Sequence, residues 1–141
     1  SHAAYRAGEA RRRAAAAEQG TVRPRKPADV PWDELSEWLR DENRDLEDHV
    51  PTRRSVLSAA GGGSGAALCE ALAEVEHRRW MASKALNGFI AGPVRDDDGK
   101  RIHPDMVDYS ELDDGTRGYD RDSIGKWLME EEESQQQKKK L

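Results

Sequence analysis

Residues 66–87 read AALCEALAEVEHRRWMASKALN, and this stretch decides the fold. Leu68, Leu72, Val75 and Leu86, with Arg79 in register, recur at spacings near 3.6 residues, which marks one helix face turned toward a core. Gly88 follows and caps the helix. Beyond it, Phe89-Ile90-Ala91 and Arg101-Ile102-His103 flank Asp98-Gly99, a dipeptide that favours a hairpin turn. Residues 109–129 return to a helical pattern, with breaks expected near Gly115 and Gly118. Residues 130–141 are a charge run followed by Gln-Gln-Gln-Lys-Lys-Lys, read as a frayed helix end or a disordered tail.

Upstream, residues 3–19 are Ala, Arg and Glu, all strong helix formers, and Gly20 ends that helix. Residues 21–30 carry Pro24 and Pro27 and read as an extended connector. Pro31 then precedes Trp32-Asp33-Glu34-Leu35, a helix start. Trp38, Leu39, Leu46 and Val50 follow at roughly helical spacing until Pro51 interrupts them, and residues 53–60 allow one or two further turns. Gly61-Gly62-Gly63-Ser64-Gly65 has the composition of a flexible linker.

An internal repeat joins the two halves. At an offset of 77 residues, Trp32 falls on Tyr109, Glu34 on Glu111, Leu35 on Leu112, Glu37 on Asp114, Arg40 on Arg117, Asn43 on Asp120, Arg44 on Arg121 and Asp45 on Asp122. At an offset of 75, His2-Ala3-Ala4-Tyr5 falls on His77-Arg78-Arg79-Trp80, so the pattern His-x-x-aromatic occurs in both halves. Near-equal offsets argue for one duplicated unit. Such units usually pack about a pseudo-two-fold axis, which would set Tyr5 opposite Trp80.

Composition narrows the function classes. The chain has 141 residues, 35% hydrophobic and 36% charged, so its core is thin. A net charge of -5 lacks the basic face that nucleic-acid binding needs. Cys69 has no cysteine to pair with, and a reducing, cytoplasmic setting is expected. No apolar run approaches ~20 residues, so no span or insertion into a membrane is expected. No signal peptide is evident, and Ser1-His2 without an initiator Met reads as a cloning remnant.

The second half carries a more specific pattern. Glu76-His77-Arg78-Arg79-Trp80, Gly88-Phe89, Gly92-Pro93-Val94-Arg95-Asp96-Asp97, Lys100, His103-Pro104-Asp105-Met106-Val107, Tyr109, Leu112 and Asp120-Arg121 closely resemble the ryanodine-receptor (RyR) repeat. That repeat occurs in tandem in the large calcium-release channels and in many prokaryotic proteins, often beside nucleotide-binding or defence-related domains. The first half lacks the Gly-Pro-x-Arg-Asp segment but keeps Trp32, Leu35 and Asn43-Arg44. The resemblance implies a prokaryotic-type tandem: a divergent first copy at residues 3–60, a linker at 61–65, a conserved second copy at 66–129 and a polar tail at 130–141. It also implies a sensing role that regulates a fused or associated effector or channel domain, with phage defence among the settings. The expected fold is mainly α with a small β-hairpin (α+β), in two pseudo-two-fold-related helix–hairpin/loop–helix repeats.

The residues themselves suggest what such a domain binds. His77 and Trp80 lie three apart on a helix and share a face. A lone Trp there is more often core, but the recurrence as Tyr5 makes a slot for a planar group, and stacking a base is worth ~1–3 kcal/mol. Lys84, one turn on, suits a phosphate; the plainer reading is a solvated lysine. Arg95 is aimed by Gly92-Pro93 and suits a bidentate phosphate contact; the plainer reading is a salt bridge to Asp96, Asp105 or Asp120. Lys100 and His103 add positive charge nearby. Tyr109 and Arg121, from the motif of the second half, complete the candidate ligand-binding set, although the recurrence of Asp120-Arg121 as Asn43-Arg44 favours a structural ion pair or cap. The expected partner is a small nucleotide-derived ligand: an adenine nucleotide, an ADP-ribose-type or a cyclic nucleotide signal.

Other chemistries fit poorly. Asp96-Asp97-Asp98-Gly99 lacks the Gly and Glu placement of an EF-hand loop, and the four histidines have no metal-ligand spacing. The Gly-rich linker lacks the Lys and Ser/Thr of a phosphate loop. Cys69 beside Leu68 and Leu72 is expected to be buried and inert. No cofactor, metal or catalytic residue is expected. The alternative to a ligand sensor is a protein-interaction or structural module anchored by Trp32, Trp38 and Trp127.

Overall fold

The computed structural model describes residues 2–61 and 65–141, so Ser1 and most of the Gly-Ser linker lie outside the described residues. The chain divides into two compact units, Ser1–Glu47 and Asp48–Leu141. It is mainly helical with one small two-stranded sheet, as expected from the sequence.

The first unit begins with α1 (His2–Glu18), whose Ala, Arg and Glu content favours helix throughout. Gly20 ends it at φ +73, in the left-handed region that only glycine adopts freely. An extended connector leads to a 3-10 turn at Trp32–Glu34 and then α2 (Glu37–Asp48). Arg40 donates to the carbonyls of Trp32 at 3.1 Å and Asp33 at 2.9 Å, tying α2 to that turn. The His2 ring donates through Nε2 to the Val30 carbonyl at 2.8 Å, stacks on Tyr5 with centroids 6.1 Å apart, and meets Trp32 at 5.9 Å.

The second unit holds α3 (Val50–Ala59), α4 (Ala66–Leu86), strands β1 (Ile90–Ala91) and β2 (Ile102–His103), a 3-10 turn at Tyr109–Glu111, and α5 (Asp114–Lys139). Leu72 and Ala73 of α4 pack against Tyr109, Leu112, Ile124 and Trp127. Leu72 and Ile124 are fully buried. Each such side chain contributes about 1.5–3 kcal/mol, so a few carry this small core. Two details of the expected apolar stripe differ: Leu86 is 85% exposed, and Cys69 is half-buried with Sγ 3.9 Å from the Arg121 carbonyl.

Helix α4 ends in a Schellman motif. Gly88, at φ +84, donates to the Ala85 carbonyl and Phe89 donates to the Lys84 carbonyl, both at 3.0 Å. This turn folds Phe89 back over the last turn of α4. The expected turn at Asp98-Gly99 closes between Asp96 and Ile102, which exchange two hydrogen bonds of 2.9 Å in antiparallel fashion. β1 lies beside β2 in parallel, Ile90 opposite Ile102 and Ala91 opposite His103. The Asp96 carboxylate accepts from the N–H groups of Gly99 and Lys100 at 2.8 and 3.0 Å, which fixes the turn. A side chain at Gly92 would come within 2.5 Å of Ile102, so only glycine allows this approach.

α5 corrects two expectations. It runs unbroken past Gly115 and Gly118, and it continues to Lys139 instead of fraying after Met129. Both glycines lie in its opening turns, where Asp113 caps the helix by accepting from Thr116 N–H at 2.7 Å. A helical glycine costs only about 1 kcal/mol, which burial of Ile124 and Trp127 outweighs. Farther on, Arg54 of α3 grips Glu131 with three hydrogen bonds of 2.7–3.2 Å, and Lys138 and Lys139 complement the helix's negative end.

Contacts of the first unit recur in the second. The His77 ring donates through Nε2 to the Val107 carbonyl at 2.7 Å, stacks on Trp80 at 5.6 Å and meets Tyr109 at 6.0 Å. Arg117 donates to the carbonyls of Tyr109 at 3.0 Å and Ser110 at 2.7 Å, as Arg40 does to Trp32 and Asp33. Arg121 binds Asp114 at 2.7 Å, as Arg44 binds Glu37 at 2.7 Å.

Candidate functional site

Six of the sequence-predicted residues can be placed around α4 and the loops after it. Trp80, half-buried, lies between two imidazoles: His77 stacks on it and His103 meets it edge-on with centroids 4.8 Å apart. Lys84 is 3% exposed, against the plainer reading of a solvated lysine. Its Nζ lies 4.5 Å from the Phe89 ring centre and 5.7 Å from that of Trp80. Aromatic faces are electronegative, so they favour an ammonium held this way. Phe89, which the sequence reading missed as a site residue, is therefore half of the cradle. The signal for it was its place directly after the capping glycine, where a fold-back contact is usual.

His103 is 5% exposed and burial pushes its imidazole down to about 4, with the Arg95 and Lys84 charges acting in the same direction. It is neutral near pH 7 and adds no positive charge. Its Nδ1 accepts the Asp105 N–H at 3.1 Å, which leaves the proton on Nε2 as a donor. Arg95 is half-exposed and donates to Asp97 from Nε and Nη2 at 2.9–3.1 Å. The salt bridge foreseen as its plainer reading exists, but to Asp97 instead of Asp96, Asp105 or Asp120. Lys100 is exposed, and its backbone serves the Asp96 turn.

Two predicted residues face elsewhere. The Tyr109 hydroxyl donates to Glu70 at 2.9 Å, and burial together with that carboxylate pushes the phenol up to about 12. Arg121 donates to Glu70 at 2.7 and 3.1 Å and to Asp114, an arrangement that ties α4 to α5. Tyr5 belongs to the first unit, where it stacks on His2. Glu9, one turn after Tyr5 as Lys84 is after Trp80, is fully buried. Lys26, Arg23 and Arg12 outweigh the effect of burial and hold its carboxyl below the usual range.

A groove of about 1000 Å³ lies between α3, α4 and α5, lined by Leu57, Cys69, Leu128 and Met129 with Arg54 and Glu131 at its rim; no predicted site residue lines it. Trp127, foreseen as an interaction anchor, is buried in the core with the Arg53 guanidinium 5.6 Å from its ring. Among the described residues no helix is long and apolar enough to cross a membrane, and no group of three His, Cys, Asp or Glu residues is gathered for a metal.

Residues 64–130 match the family model of the RyR domain. The match covers α4, both strands and most of α5, and so contains the whole Trp80–Lys84–Phe89–His103 cluster. No solved structure matches the chain. A RyR domain points to a regulatory or ligand-sensing role.

Proposed function

We propose that this RyR domain is a sensor for a small anionic ligand with a planar base, of the adenine nucleotide, ADP-ribose or cyclic nucleotide kind, and that it passes the binding event to an effector or channel domain. The observation that carries the reading is the buried Lys84 ammonium between Phe89 and Trp80. A cation kept out of water beside a half-exposed indole offers charge to a phosphate and a face to a base. Arg95 and the Nε2–H of His103 would add donors. The role is binding, not catalysis: His103 is neutral and hydrogen-bonded, and the predicted residues hold no nucleophile beside a base.

The recurring contacts support reading the chain as tandem copies of one repeat, of the prokaryotic type, with the first copy divergent. Phage defence is one setting in which such a sensor would serve. Calorimetry with ATP, ADP-ribose and cyclic AMP tests the proposal. Saturable binding, with quenched tryptophan emission and at least about tenfold weakening in Trp80→Ala and Lys84→Met, is expected. Absence of binding for every nucleotide, or full binding by Trp80→Ala, refutes it. Trp32, 43% exposed, favours a second reading, a protein-docking module; that reading predicts no quenching by any nucleotide.

A further inference from the structure

Beside the aromatic cluster lies a second set of buried charges that the proposed nucleotide site does not use. Arg53 of α3 and Arg79 of α4 share one carboxylate, Glu76. Arg53 Nη2 donates to it at 2.8 Å, and Arg79 donates from Nε and Nη2 at 2.8–3.0 Å. The side chains of Arg53, Glu76 and Arg79 are only 4%, 6% and 11% exposed. Two guanidinium charges thus face one carboxylate in a water-poor place. Arg53 Nε, Arg79 Nη1 and His49 Nδ1 are all buried and have no hydrogen-bond partner among the described residues. Buried N–H groups are almost always paired, so the two unpaired guanidinium N–H groups mark a missing acceptor, and His49 in its Nδ1–H form would supply a third donor.

The surroundings favour an anion. His49 stands at the N-terminal end of α3, where the helix dipole is positive. Burial and the charges of Arg53 and Arg79 push its imidazole down, against the pull of Glu76. Asp120 also feels the charges of Glu76 and Arg79. Burial, with the charges of Glu76 and Asp105, keeps it protonated up to about 7. Among the described residues, Glu76 is thus the one carboxylate that hydrogen-bonds both guanidinium groups.

We infer that Arg53, Arg79 and His49 form a receiving site for a phosphate group, separate from the Trp80 cluster. A tetrahedral oxyanion offers acceptors in several directions at once, which suits two guanidinium edges and an imidazole that one planar carboxylate leaves unpaired. His49 is half-buried, so the site lies beneath a partly exposed residue.

Titration of the full chain with inorganic phosphate, and separately with methyl phosphate, by calorimetry and by the NMR signals of His49, tests the inference. Saturable binding is expected, with the His49 imidazole titrating at higher pH when phosphate is present. Arg79→Gln and His49→Gln should each weaken binding, the former by at least about tenfold. Trp80→Ala should bind phosphate as the unaltered chain does, so this site and the nucleotide site fail independently. Binding of methyl phosphate as tight as phosphate assigns the site to phosphomonoesters, and binding of phosphate alone assigns it to the free ion. No saturation with either, or phosphate binding unchanged in both His49→Gln and a folded Arg79→Gln, overturns the inference.

Discussion

Asp120 gives the sharpest test of the second unit's electrostatics. Its carboxyl is buried mainly among protein groups, faces the charges of Glu76 and Asp105 with only Arg79 in opposition, and is pushed from 3.8 up to about 7. Its Oδ2 lies 3.7 Å from His77 Nδ1. The folded state therefore holds a proton that the unfolded chain releases near 3.8. Stability falls as pH rises from about 4 to about 7 and is level above, and the full difference corresponds to about 4 kcal/mol. Asn at this position mimics the protonated form and never ionises. Asp120→Asn should gain on the unaltered protein by up to about 2.5 kcal/mol between pH 5 and pH 8, less where water reaches the carboxyl. Urea unfolding followed by tryptophan emission at several pH values measures this. His103, whose depressed titration makes stability rise with pH from about 4 to 6.5, acts equally in both proteins and cancels in the difference. A difference that stays within about 0.5 kcal/mol across this range, or that shrinks as pH rises, refutes the assignment.

Other positions test the scaffold. Gly88→Ala forces a side chain into φ +84 and should cost at least about 1 kcal/mol in urea unfolding, whereas Gly125→Ala, in mid-α5 with open space around it, should be neutral or gain up to about 1 kcal/mol. Leu72→Ala opens a cavity in the fully buried core and should lower stability by about 2–5 kcal/mol. Tyr109→Phe removes one of the bonds to Glu70 but leaves Arg121 there, so a loss near 1 kcal/mol, read from the thermal midpoint, is expected.

The helices were legible because their information is periodic and local. Residues 66–87 give both a face and a stop, and the structure ends α4 at Leu86 with Gly88 in the left-handed region. The strands were only partly legible. Two residues each is too short for an alternating pattern, so Asp98-Gly99 announced a turn but not the parallel pairing of Ile90 with Ile102. α5 was underestimated because a glycine's cost is local while Ile124 and Trp127 are held by distant partners. The site residues show the same division. Trp80 and His77 follow from helical spacing. The burial of Lys84 does not, because it depends on Phe89 returning across the end of α4. Nor does the choice of Asp97 by Arg95, since any of several nearby carboxylates satisfies the sequence.

The contrast between Glu9 and Lys84 bears on what the proposed duplication would have preserved. The histidine that reaches back to a valine carbonyl, the arginine that clamps the 3-10 turn and the arginine that pairs with the first residue of the following helix occur in both units with nearly equal distances. These contacts define a backbone path and say nothing about a ligand. One turn past the recurring aromatic, the buried charge changes sign. Lys84 lies against two aromatic faces, whereas Glu9 is neutralised by Arg12, Arg23 and Lys26 of its own unit. At the position of the first unit that matches Lys84 stands a carboxylate. On the proposed duplication, the scaffold was kept in both copies and the capacity to attract an anion in one. The recurrence of these backbone-directed contacts is therefore evidence of a structural role for the residues that make them, and Lys84, where the units disagree in charge, is the position at which an anionic ligand's chemistry is to be sought.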